Sequence, residues 1–227
     1  MNREIHETHE THETTFVHFV CFVVKMPGMH SAILLVGPTG SGKTPLGDWL
    51  ERHGLWGRRC HHFDFGENLR AVASGNVEGF TAAEVLFVRD LIEEGALLED
   101  ETFHLALRIL EAYMRDRRVL RDDLIIMNGL PRHAGQAEGL APVLEFTAVI
   151  DLRCDAETVF ERLQRNTGGD RAGRADDSIE LVRRKLAVFT DRTKPLLAWY
   201  EQQGVPLIPV SVGVHTTPSE IARLLAS

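Results

Sequence analysis

Residues 32–44 read Ala-Ile-Leu-Leu-Val-Gly-Pro-Thr-Gly-Ser-Gly-Lys-Thr, and the path of the chain through them decides the fold. The apolar run Ala32–Val36 predicts a buried strand, and Leu46-Gly47-Asp48-Trp49-Leu50 beyond the glycines predicts a helix beginning near Lys43. Gly37, Gly42, Lys43 and Thr44 fill the fixed positions of G-x-x-x-x-G-K-[ST] between the two. In such a loop the backbone N–H groups of Gly37, Thr39, Gly40, Ser41 and Gly42 turn inward around a phosphate, and the positive end of the helix dipole adds to their field. Lys43 reaches the outer phosphates, and the Thr44 hydroxyl is placed for Mg²⁺. The stretch therefore predicts a nucleoside triphosphate held with Mg²⁺.

The rest of the chain bounds what surrounds that loop. At 227 residues it is one α/β domain, or one with insertions. A net charge of −8 speaks against a general nucleic-acid binder, although Arg and Lys gather between residues 162 and 185. Cys21, Cys60 and Cys154 are odd in number and show no C-x-x-C spacing, as expected of reduced thiols in a cytoplasmic protein. The start differs from the rest. His-Glu-Thr occurs three times from His6 to Thr14, and the apolar run Phe16–Val24 is too short to span a bilayer. Glu4, Glu7, Glu10 and Glu13 stand where a signal peptide would be basic. Residues 1–28 are expected to be a disordered extension, or untranslated with Met29 the working start, and residues 31–227 to be the domain.

Five apolar segments predict a mainly parallel sheet with helices on both faces: Ile33–Val36, a weaker Cys60–Phe63, Leu124–Met127, Ala148–Leu152 and Leu207–Val210. Helical spacing runs through Ala82–Glu93, Glu101–Arg115, Ala156–Gln164 and a long segment of about Ser178–Gln203 with a kink at Pro195. In such sheets ligands sit beyond the carboxyl ends of the strands, where Gly37–Thr44, Asn128–Arg132 and Arg153–Asp155 should fall.

Three further stretches carry charge that a core has no use for. They are Phe63-Asp64-Phe65-Gly66-Glu67-Asn68-Leu69-Arg70, Met127-Asn128-Gly129-Leu130-Pro131-Arg132 with Gln136 beyond it, and the series Arg162, Arg165, Arg171, Arg174, Arg183, Arg184, Lys185. Phosphoryl transfer spreads charge over the transferred group, which cations must hold in line, and forked guanidiniums near a phosphate loop serve that need. Arg132 and Arg174, each in a loop containing glycine, are the leading candidates.

Together with Gly95–Glu101, Gly173-Arg174-Ala175-Asp176-Asp177 and Thr193–Tyr200, these stretches stand in the order, and nearly the spacing, of adenylate kinases and related nucleoside monophosphate kinases. The chain resembles that family over about residues 31–226. The resemblance implies a P-loop fold with a five-stranded parallel sheet, a monophosphate-binding insert at about 64–100 and a short LID at about 165–177 without structural zinc. It implies a monomer that binds ATP and a nucleoside monophosphate, AMP by default, with no nucleic acid or membrane partner. Lys43 and the loop amides would hold the ATP phosphates, with Gly213 near the ATP base. Arg70 and Arg132 would hold the acceptor phosphate. Phe65, Leu98, Gly129 and Gln136 would line the acceptor site, Gln136 reading the base. Arg162, Arg174 and Lys185 would clamp the transferring group.

The pattern also departs from the family. Asn128 replaces the aspartate that orders Mg²⁺ through water, so the metal should be held less tightly. Phe65 puts a ring where a hydroxyl often meets the acceptor base. Lys185 offers a point charge where the family has an arginine, with Arg184 a neighbour able to compensate. Asn166 stands where a second LID arginine is usual, with Arg165 or Arg171 as substitutes. Two other readings use the same residues in part: a P-loop kinase of a small-molecule hydroxyl, and a nucleotide-binding module with little turnover.

Overall fold

The strand predicted before the glycine loop, β1 (His30–Val36), lies in the middle of a five-stranded, all-parallel sheet. The other strands are β2 (Cys60–Asp64), β3 (Leu124–Asn128), β4 (Leu144–Arg153) and β5 (Leu207–Ser211), and the order across the sheet is β2-β3-β1-β4-β5. The computed structural model describes residues 29–96, 98–169 and 179–226. The expectation for residues 1–28 lies outside them.

β1 is apolar throughout because both faces of the sheet are covered. Ala32, Leu34 and Val36 point into one core, and Ile33 and Leu35 into the other. The second core is closed by α1 (Lys43–His53), through Leu46 and Leu50, and by α9 (Pro218–Ala226), through Ile221 and Leu225. The first takes side chains from α2 (Phe65–Ala73), α3 (Ala82–Glu94), α4 (Phe103–Asp116) and α5 (Ala134–Leu140). At about 25 cal/mol per Å² of apolar area buried, these two layers supply most of what holds the sheet.

All five expected strands form, each longer than expected, and β4 the most. β4 begins at Leu144, four residues before the predicted Ala148, and Leu144–Phe146 pair with His30–Ala32 ahead of a register shift. Helix α6 (Ala156–Arg165) is close to its predicted span. The long helix expected over 178–203 is instead broken: α7 (Ile179–Val188) passes through a π-helical turn, Phe189–Thr193, into α8 (Pro195–Gln202). Pro195 has no N–H and its ring crowds the carbonyl one turn back. The turn widens there, and the Lys194 N–H donates to the Phe189 carbonyl at 2.7 Å, five residues away.

Side-chain caps fix the starts of α2 and α3. The Asp64 side chain caps α2 by accepting from the Glu67 N–H at 3.0 Å. Thr81 and Glu84 form a reciprocal capping box at the start of α3.

Candidate active site

Gly37–Thr44, Asp64–Arg70 and Asn128–Arg132 follow the carboxyl ends of β1, β2 and β3, and side chains from all three line one cavity. The loop depends on glycine at its last turn. Gly42 has φ +93°, and a Cβ there would meet the Arg162 Nη2 at 3.0 Å. No side chain caps the start of α1, and no acidic residue sits in its first turn, which is the arrangement that receives a phosphate. Lys43 lies over the loop, its Nζ donating to the carbonyls of Gly37 at 2.7 Å and Pro38 at 2.8 Å. Thr39, Gly40 and Gly42 line the cavity, whereas Ser41 between them is fully buried.

Beside the loop is a corner of oxygen and amide groups. The Thr44 hydroxyl donates to the Asp64 Oδ2 at 2.7 Å, and the Asn128 Nδ2 contacts both the Thr44 Oγ1 at 3.0 Å and the Asp64 Oδ2 at 2.8 Å. Behind it the His62 Nε2 faces the Asn128 Nδ2 at 3.4 Å, and the His62 Nδ1 bonds Asp48 at 2.8 Å. Hydroxyl and carboxylate oxygens beside a phosphate loop are the donors that Mg²⁺ takes together with phosphates. The residues present fit MgATP. Sequence reasoning gave Asp64 no role. The signal available to it was a carboxylate ending β2, a strand whose five residues are all buried.

The cavity also has apolar lining and two more arginines. Leu69 of α2, Leu91 and Ile92 of α3, Val188 at the end of α7 and Phe189 just after it contribute apolar surface, and Arg70 and Arg132 line it too. The Arg132 Nε donates to the Gly129 carbonyl at 2.9 Å. Burial draws its pKa below the usual arginine value, and the nearby Asp64 charge pulls it back up. Gly129, at φ +83°, allows the turn that brings Arg132 back over the strand end.

A family profile described as an AAA domain matches residues 36–183 of the chain. An adenylate kinase of Xanthomonas oryzae pv. oryzae (strain MAFF 311018) is 34% identical over 182 residues, covering 76% of this chain and 86% of its own length. The chain belongs to the adenylate kinase family. A second adenylate kinase, from Synechococcus sp. (strain CC9311), is 33% identical over 184 residues, 78% of this chain and 88% of its own. A gluconokinase from Sinorhizobium meliloti 1021 superposes with a TM-score of 0.48 at 18% identity, covering 88% of this chain and 91% of its own, a likeness too loose to bear on substrate. Membership makes the protein a P-loop phosphotransferase of a group that generally uses Mg²⁺ with ATP. Among the described residues no helix is long and apolar enough to cross a membrane.

Against that family pattern, several residues stand in unexpected surroundings. Phe65 is 5% exposed and packs on Phe63 with ring centroids 6.1 Å apart, so most of its ring belongs to the core. Both ends of the Gln136 amide are engaged by backbone: Oε1 accepts from the Arg132 N–H at 2.7 Å, and Nε2 donates to the Leu98 carbonyl at 2.8 Å. Leu98 is itself buried, at the cavity edge. Arg162 is 6% exposed and donates to the carbonyls of Gly40, Gly213 and Val214. Gly213 thus meets Arg162 and lies off the main cavity, beside a second cleft lined by Gly42, Arg162, Thr216 and Thr217. Lys185 lines the main cavity, and Arg184 does not: its Nη1 donates to the Glu94 carbonyl at 2.9 Å. Arg165 pairs with Glu161 on the surface. Arg171 and Arg174 lie outside the described residues.

Proposed function

We propose that the protein transfers the terminal phosphoryl of MgATP to a nucleoside monophosphate, AMP by default, giving two nucleoside diphosphates. The observation that carries this reading is the shared cavity: the phosphate loop with Lys43 and the pair Arg70 and Arg132 line the same space. Two phosphate-holding sets facing one space are what an in-line transfer between two phosphorylated substrates requires. A kinase of an uncharged hydroxyl has no need for the second set.

In this account the loop amides and Lys43 bind the donor's phosphates, and the donor's base lies toward Gly213 and the Thr216–Thr217 cleft. Arg70 and Arg132 orient the acceptor phosphate for attack. Thr44 would hold Mg²⁺ together with the ATP phosphates, and the ion would supply positive charge there. Arg162, Arg174 and Lys185 add positive charge around the group in transit. The insert at about 64–100 supplies the apolar wall for the acceptor's base. The short LID at about 165–177 closes to exclude water, which would otherwise take the phosphoryl.

The test is a coupled ADP-release assay with MgATP and AMP, CMP, UMP, GMP or dTMP in turn, against an acceptor-free control. A rate that rises with one monophosphate names the acceptor. A rate equal to the control for all five, with ATP still bound, overturns the proposal in favour of a hydroxyl acceptor or a binding role.

A further inference from the structure

The corner beside Thr44 holds a carboxylate on a different strand from the one the family pattern leads one to expect. Asp64 and Asn128 end neighbouring parallel strands and are direct partners in the β2–β3 register. A side chain from either strand end therefore reaches the same point. We propose that Asp64 supplies the metal-facing carboxylate of this site, with Asn128 as its neutral neighbour. The inference rests on the MgATP reading above.

Three observations carry it. The Asp64 Oδ2 accepts from the Thr44 hydroxyl at 2.7 Å, the group that the phosphate loop presents to Mg²⁺. The carboxylate is 7% exposed yet lines the cavity, and its other oxygen is fixed by the Glu67 N–H, so its direction is set before any ligand arrives. The Asn128 Nδ2 faces the same Oδ2 at 2.8 Å, and His62, braced by Asp48, lies on its far side.

The charges decide which residue can be acidic. A Mg²⁺ that binds phosphates takes one or two carboxylates. Two carboxylates across a 2.8 Å contact disfavour each other's ionisation, so an acid at 64 calls for a neutral residue at 128. A role as helix cap alone accounts for Oδ1 and leaves Oδ2 on Thr44 unexplained. Serine, threonine or asparagine would cap α2 as well.

The test measures ATP affinity by titration calorimetry with Mg²⁺ and with EDTA, in the wild type, Asp64→Asn and the exchanged pair Asp64→Asn/Asn128→Asp. Asparagine keeps the cap and the side-chain size. Asp64→Asn should bind ATP in EDTA about as the wild type does, while losing about tenfold or more of its affinity in Mg²⁺. The exchanged pair should recover most of that loss, and it also carries the test should the single variant lose its fold. A Mg²⁺ response in folded Asp64→Asn equal to that of the wild type overturns the inference and leaves the kinase reading standing. A wild type that binds no ATP in either condition overturns both.

Discussion

The Arg162 Nε donates to the Gly40 carbonyl at 2.9 Å, so a residue of α6 holds the phosphate loop from behind. The same guanidinium bonds the carbonyls of Gly213 and Val214, tying the loop to the segment after β5. Arg162→Ala should therefore unfold more easily as well as turn over more slowly. Bonds from a charged donor to buried acceptors contribute about 1.5–3 kcal/mol each, and water entering the gap returns part of that. A loss of about 2–4 kcal/mol is expected, read as a lower urea midpoint at unchanged slope. Unaltered stability with lost turnover would mean that Arg162 serves only the transferring phosphoryl.

Lys43→Ala should do the opposite. Lys43 donates to the loop carbonyls of Gly37 and Pro38 and lines the cavity, and it belongs to neither core. Turnover should fall by about 10²–10³-fold, the cost of removing one charge-stabilising donor, with little change in melting temperature. Full activity in a correctly folded variant would refute the role given to Lys43.

Gly47→Ala reverses a common expectation. Alanine in place of a helical glycine ordinarily stabilises by about 1 kcal/mol. A Cβ at 47 would lie 2.2 Å from the His62 Cδ2, and that ring is held by Asp48 and Asn128. Overpacking of this kind costs about 1–3 kcal/mol, and it also disturbs the Asn128 side of the metal corner. The melting temperature should fall. A rise would show that the ring moves aside freely.

Glu84 provides a pH-dependent contribution. Hydrogen bonds from the Thr81 N–H, and next from Arg108, lower its pKa from 4.5 to about 2. A depressed acid stabilises the fold above its unfolded value and loses that contribution as pH falls through its folded value. The window is therefore about pH 4.5 down to about pH 2. Urea midpoints measured through that window should drop less steeply for Glu84→Gln than for the wild type. Identical slopes would mean that the capping box at α3 does not persist in solution.

The strands were legible because burial on both faces leaves uninterrupted apolar runs, as in Ile33–Val36 and Leu124–Met127. The start of β4 was not, since Leu144-Glu145-Phe146-Thr147 alternates and breaks the run. The π turn at Phe189–Thr193 was hidden because side-chain spacing records which face is apolar and not which carbonyl each N–H meets. At the site, the phosphate loop was readable from local spacing alone. The Asp64–Asn128 contact depends on register between strands 64 residues apart, and the braced amide of Gln136 depends on Leu98, 38 residues away. No local pattern carries such pairings.

Phosphoryl transfer between two nucleotides can be read in reverse. ADP with Mg²⁺ is incubated alone, and with CDP, UDP, GDP or dTDP, and the products are separated by anion exchange. The account predicts ATP and an equal amount of one nucleoside monophosphate, with ADP alone giving ATP and AMP. ADP unchanged in every mixture, by protein that binds ATP, would contradict it.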